Sequence, residues 1–103
     1  MKLGNDERAA AVAGLDGWEY DAAEGAIKRR FMFGDFAQAF AFMTKVALAA
    51  EKADHHPDWS NSWNRVDIAL ATHSEGGVTA KDIDLARAID RIAASLALKP
   101  APH

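Results

Sequence analysis

The sequence predicts an α+β domain in which one four-stranded antiparallel sheet carries its helices on one face, in the order α-β-β-α-β-β-α. Three features predict it. Two pairs of short β-type runs are each joined by turn residues, and each pair is followed by a longer run whose apolar residues recur at the helical period. The third is length: 103 residues suffice for one hydrophobic core, so 1–103 is expected to be a single domain.

Asn5 to Ala13 opens with the acidic Asp6 and Glu7, continues in good helix formers and stops at Gly14, which predicts a short first helix. Trp18-Glu-Tyr20 and the run Ala26 to Phe33 flank the turn-like Asp21-Ala-Ala-Glu-Gly25. Ile27, Phe31 and Phe33 share one face of the second run, as in a β-hairpin. After Gly34, Asp35 can cap a long helix whose stripe is Phe36, Ala39, Phe40, Met43, Val46, Ala47 and Ala50, predicted to lie against the sheet.

Pro57 turns the chain, and Trp59 to Trp63 and Val66 to Leu70 read as the second pair of strands, with Asn64-Arg65 as their tight connection. Thr79 and Asp82 match a capping box ahead of a last helix striped by Leu85, Ala86, Ile89, Ile92, Ala93 and Leu96. The Pro-Ala-Pro-His end predicts a flexible tail over 99–103. With the helices on one face, the other face of the sheet either meets water or joins the sheet edges in binding and assembly. Trp59 and Trp63 share a strand face and belong either to such a surface or to the core.

Twelve basic residues against fifteen acidic ones, a formal charge of −3, provide no general field for phosphate backbones, so direct nucleic-acid binding is not expected. There is no cysteine for a disulfide framework or a thiolate metal site. No apolar signal-peptide core opens the chain, so a cytoplasmic location is expected. The most apolar stretch, Phe36 to Ala50, contains Gln38 and Lys45 and does not read as a membrane span.

Three of the four histidines, His55, His56 and His73, fall around one turn and one strand end. Imidazole is the side chain whose ordinary pKa lies near neutrality, so convergence of three suggests proton transfer or metal binding. Each has a plainer explanation: a His-His pair before proline suits a helix C-terminus, His73 an ordinary strand end, and Asp82 its capping box. Three histidines can also hold zinc, although adjacent imidazoles lack the i, i+4 spacing of helical zinc motifs.

The run Phe42 to Trp59, with Asn64-Arg-Val66, Ala71-Thr-His73 and Asp82-Ile-Asp-Leu-Ala86, resembles the pterin-4a-carbinolamine dehydratase family. That family's pattern is an acidic or related residue, His-His-Pro, an aromatic residue, a later histidine and an aspartate; Glu51, His55-His56-Pro57, Trp63, His73 and Asp82 supply it. The resemblance implies loss of water from a 4a-hydroxytetrahydropterin, the spent cofactor of an aromatic amino acid hydroxylase, to give a quinonoid dihydropterin and so support tetrahydrobiopterin recycling.

It also implies His55 and His73 as the proton-transfer pair, His56 in pterin recognition, and Asp54, Ala71, Thr72 and Ser74 beside them in substrate binding. Glu51 and Asp82 would support the histidines, and no metal or further cofactor is required. A homodimer or homotetramer formed through the sheet edge or the helices is implied as well. The alternative on the same fold is a non-catalytic binding, coactivator or assembly module, since animal relatives partner a homeodomain transcription factor and some bacterial ones assist assembly of a large enzyme. The complete histidine set favours catalysis, whereas Ser74-Glu-Gly-Gly77, Trp63 and the helix surfaces depart from the animal pattern.

Overall fold

Alternation along the two central strands decides which face of the sheet is covered. In the computed structural model, which describes residues 1–97, α1 spans Asn5–Ala13, β1 Glu19–Asp21, β2 Ala26–Met32 and α2 Phe36–Ala53. β3 spans Asp58–Ser62, β4 Arg65–Leu70 and α3 Ala80–Ala97, with one 3-10 turn at His73–Glu75. The predicted element order is the observed one. The predicted tail at 99–103 lies outside the described residues.

The sheet is antiparallel with strand order β1-β2-β4-β3, so the two hairpins meet at its centre and β1 and β3 are its edges. The register pairs Ile27 with Leu70, Arg29 with Ile68 and Phe31 with Val66. Because side chains alternate, these rows share one face. On it Ile27, Phe31, Val66, Ile68 and Leu70 are buried in one core with Phe42 and Val46 of α2 and Ile83, Leu85, Ala86 and Ile89 of α3. α1 closes the β1 side, where the Arg8 guanidinium lies 3.6 Å from the centre of the Tyr20 ring.

The opposite face is polar. Arg30 Nε donates to Asp67 at 2.8 Å, and Arg65 Nε lies 3.4 Å from the same carboxylate, an ionic contact rather than a hydrogen bond. Lys28 pairs with Asp21 and Glu24. The hydrogen bond to Asp67, and then its charge, raise the pKa of Arg30 above the ordinary arginine value.

Three local expectations are corrected. The tight connection is Trp63-Asn64, one residue earlier than expected. Asn61 donates to the Trp63 and Arg65 carbonyls, while Asn64 exchanges hydrogen bonds with the Phe33 backbone. Trp63 therefore leaves the strand, adopts φ 49° and is 65% exposed, whereas Trp59 packs against the core.

The third correction is the buried line of α2, which is Ala39, Phe42, Val46 and Ala50; Phe36 and Phe40 face out. Phe42 is drawn in by Phe31 and Phe33, each 4.8 Å away ring to ring. A helix apolar on nearly every side gives no unique stripe to read.

Candidate active site

The site begins where α2 ends. Asp54 adopts the left-handed conformation, φ 51° and ψ 43°, its N–H bonds the Glu51 carbonyl at 3.1 Å, and the His55 N–H bonds the Ala50 carbonyl at 3.1 Å. This pair of bonds is the Schellman ending, which reverses the chain, and aspartate is among the few non-glycine residues that tolerate it. The predicted site residue Asp54 thus acts here through its backbone. The reversal carries His55 back toward α3, where its Nε2 lies 2.5 Å from Asp82 Oδ1.

Asp82 stands in the first turn of α3 and has no exposed surface. Its Oδ2 accepts the Thr79 N–H at 2.9 Å, which is the predicted capping interaction, and also the Thr72 hydroxyl at 2.9 Å. The cap and the histidine partner are therefore one carboxylate. A buried carboxylate is tolerated only when it is fully hydrogen-bonded, as this one is.

Thr72 follows β4 and closes a small loop: its N–H bonds the Gly77 carbonyl at 2.8 Å. Ala71 precedes it, and His73 and Ser74 are presented outward on the loop, with His73 82% exposed. His73 Nε2 lies 3.4 Å from Asp58 Oδ2 at the start of β3. His56, also exposed, meets Glu51 Oε1 at 2.6 Å through Nε2.

Each of the three predicted histidines therefore faces its own carboxylate: His55 with Asp82, His56 with Glu51 and His73 with Asp58. Contacts from the 54–58 turn to α3, from α3 to Thr72 and from His73 back to Asp58 gather these residues at one end of the sheet. A carboxylate at one ring nitrogen fixes the tautomer and orientation of an imidazole, the arrangement suited to proton transfer. Among the described residues, no group of three or more histidine and carboxylate side chains is arranged to hold a metal ion.

Trp63, the aromatic position of the sequence pattern, is not brought to this cluster. It lies beyond the far end of β3 from Asp58, about 15 Å along the strand at the usual rise per residue. Two residues of the cluster went unrecognised in the sequence. Asp58, just after His-His-Pro, was readable as a nearby acid; Thr79 was visible only as a cap. Among the described residues no helix is long and apolar enough to cross a membrane.

Residues 1–92 match the family described as pterin 4 alpha carbinolamine dehydratase. A provisionally named pterin-4-alpha-carbinolamine dehydratase of Rhizorhabdus wittichii is 56% identical over 91 residues, covering 88% of this chain and 94% of the relative. One of Mesorhizobium japonicum is 57% identical over 86 residues, covering 84% and 88%.

The crystal structure of a transcriptional coactivator/pterin dehydratase from Brucella melitensis superposes with a TM-score of 0.88 at 52% identity, over 90% of this chain and 99% of that one. A pterin dehydratase-like protein identified as a RuBisCO assembly factor in the alpha-carboxysome superposes with a TM-score of 0.66 at 25% identity, over 76% and 90%. A family match over nearly the whole chain, with relatives above half identity, places this protein in the pterin 4 alpha carbinolamine dehydratase family.

Proposed function

We propose that this protein is a hydro-lyase that removes water from a 4a-hydroxytetrahydropterin to give the quinonoid dihydropterin. The observation that carries the reading is the pairing of His55, His56 and His73 with Asp82, Glu51 and Asp58 at one end of the sheet, in a chain of this family.

In the reaction the C4a–O bond breaks as the departing hydroxyl takes a proton, N5 gives up its proton, and C4a=N5 forms. One acid and one base suffice, each worth about two to four orders of magnitude in rate. His55 and His73 are the proposed pair. His56, exposed beside them, contributes to pterin recognition with Asp54, Ala71 and Ser74, and Glu51 holds the His56 ring; Thr72, expected among the substrate-binding residues, is buried with its hydroxyl on Asp82 and is assigned a supporting part instead. No metal or cofactor beyond the substrate enters, and an aromatic amino acid hydroxylase is the proposed source of that substrate in the cytoplasm.

Exposed Phe36 and Phe40, stacked on one side of α2, support self-association of the chain into a dimer or tetramer, with the β1 and β3 edges as a second route. The same surfaces would serve an assembly or coactivator role such as the names of the two structural neighbours describe. Adding the folded protein to freshly generated 4a-hydroxytetrahydropterin tests the enzymatic reading: accelerated decay to the quinonoid product is expected, and decay at the uncatalysed rate would refute it.

A further inference from the structure

We propose that Thr72 and Thr79 are positioning residues whose hydroxyls form a one-way hydrogen-bond chain ending on Asp82, which holds neutral His55 in its Nε2–H tautomer and leaves Nδ1 as the nitrogen that exchanges a proton. The identity of the proton donor, the pterin N5, rests on the dehydratase reading; the tautomer does not.

The direction of the chain follows from counting protons. A hydroxyl has one hydrogen to donate, and an ionised carboxylate can only accept. Thr72 Oγ1 lies 2.9 Å from Asp82 Oδ2, so its hydrogen is committed there. Thr72 and Thr79 Oγ1 are 2.8 Å apart, so between them the hydrogen must come from Thr79. Thr79 Oγ1 in turn accepts the Lys81 N–H at 3.2 Å. Every link then points toward Asp82, and hydrogen bonds in such a series polarise one another.

At the end of the chain Oδ2 receives two donors, the Thr72 hydroxyl and the Thr79 N–H, which turns Oδ1 toward His55. That oxygen accepts, so His55 donates from Nε2. The other ring nitrogen, Nδ1, makes no hydrogen bond among the described residues, and the side chain keeps 11% of its surface exposed, so Nδ1 is the nitrogen left to exchange a proton. His55 thus starts turnover as a proton acceptor at Nδ1, with a buried carboxylate facing the ring that becomes positive.

Burial makes the arrangement hard to replace. Thr72, Thr79 and Asp82 are 8%, 5% and 0% exposed, so bulk water is poorly placed to stand in for a lost hydroxyl. A structural reading of the same contacts, a helix cap and a buried strand end, predicts lost stability on mutation and nothing more. The positioning reading predicts a change in the state of a ring that neither threonine touches directly.

The test is long-range proton–nitrogen correlation NMR of the histidine rings in the labelled full chain, at a pH where the His55 ring is neutral. His55 is assigned by the signal lost in His55→Ala. Wild type, Thr72→Val, Thr72→Ser, Thr79→Val and Thr79→Ser are compared, with decay kinetics and thermal unfolding alongside.

The wild type is expected to show a protonated Nε2 and a bare Nδ1. Thr72→Val and Thr79→Val are expected to mix the tautomers and lower kcat about tenfold with KM unchanged, and the serine variants to restore both. A wild-type Nδ1–H tautomer, which needs no variant to detect, would overturn the proposal. So would folded valine variants that lose stability but keep tautomer and kcat. If the valine variants fail to fold, the serine variants decide: a changed tautomer in them, with the hydroxyl retained, would overturn it. A wild type with the Nε2–H tautomer that accelerates no pterin decay would sustain the chain and refute the dehydratase reading.

Discussion

His55 and Asp82, 27 residues apart, meet at 2.5 Å and tie the end of α2 to the start of α3. The contact exists because two local rules act together: the left-handed Asp54 turns the chain back, and the N-terminal cap of α3 places a carboxylate where that turn delivers the ring. The helix cap and the contact to the imidazole therefore share one residue.

Asp82→Ala should destabilise the fold by about 3 to 5 kcal/mol, because it leaves the Thr72 hydroxyl, the Thr79 N–H and His55 without their common acceptor. Urea unfolding checks this. A loss below about 1 kcal/mol would show that the network relaxes around the gap and does not hold the two helices together.

Asp58→Asn separates a supporting role from a structural one. The His73 pair is exposed on both sides, so stability should stay within about 0.5 kcal/mol of wild type. Dehydration should slow by up to about fivefold, the rate equivalent of an exposed ion pair worth about 1 kcal/mol. A far larger fall in rate would make Asp58 a direct participant in the reaction.

A second, partly buried acceptor serves as the control. Asp90 accepts the Trp18 Nε1–H at 2.8 Å and Arg29 at 2.7 Å, fastening β2 and the residue just before β1 to α3 away from the histidines. Asp90→Ala should cost about 2 to 3 kcal/mol, the usual range for losing hydrogen bonds to a charged group. Its kcat under conditions where it remains folded should match wild type; a selective loss of kcat would extend the functional site to this end of the molecule.

Phe40→Glu tests self-association. Phe40 is 57% exposed and stacks on Phe36 at 5.9 Å between ring centres, an apolar side of α2 that the core does not use. Sedimentation should show a smaller species than wild type with unchanged helix content by circular dichroism. The same mass for both proteins would remove this side of α2 from the interface.

The order of the elements and the core face of β2 were legible because period-two and helical patterns fall in separate segments, as in Ile27 to Phe31 and Leu85 to Ile89. The orientation of α2 was not, since phenylalanine and alanine surround it and only contact with Phe31 and Phe33 selects Phe42. The displaced hairpin turn depended on side-chain bonds from Asn61 and Asn64 that spacing cannot reveal.

At the site, the histidines were readable from their grouping, whereas Asp82 was readable from the residues only as a cap and joined the histidines through the family resemblance. Thr79 was not readable as more than a cap, because its link to Thr72 joins two chain segments whose approach is a property of the folded loop. Asp58 was likewise chosen by the loop that brings His73 to it.

The most direct test of the central claim is stopped-flow ultraviolet absorbance of freshly generated 4a-hydroxytetrahydropterin, without protein and with wild type, His55→Ala and His73→Ala. Wild type should accelerate decay, and each substitution should remove about a hundredfold or more of that acceleration, the contribution of one acid or base. A folded wild type that leaves the decay unchanged, or alanine variants as fast as wild type, would contradict histidine-driven dehydration.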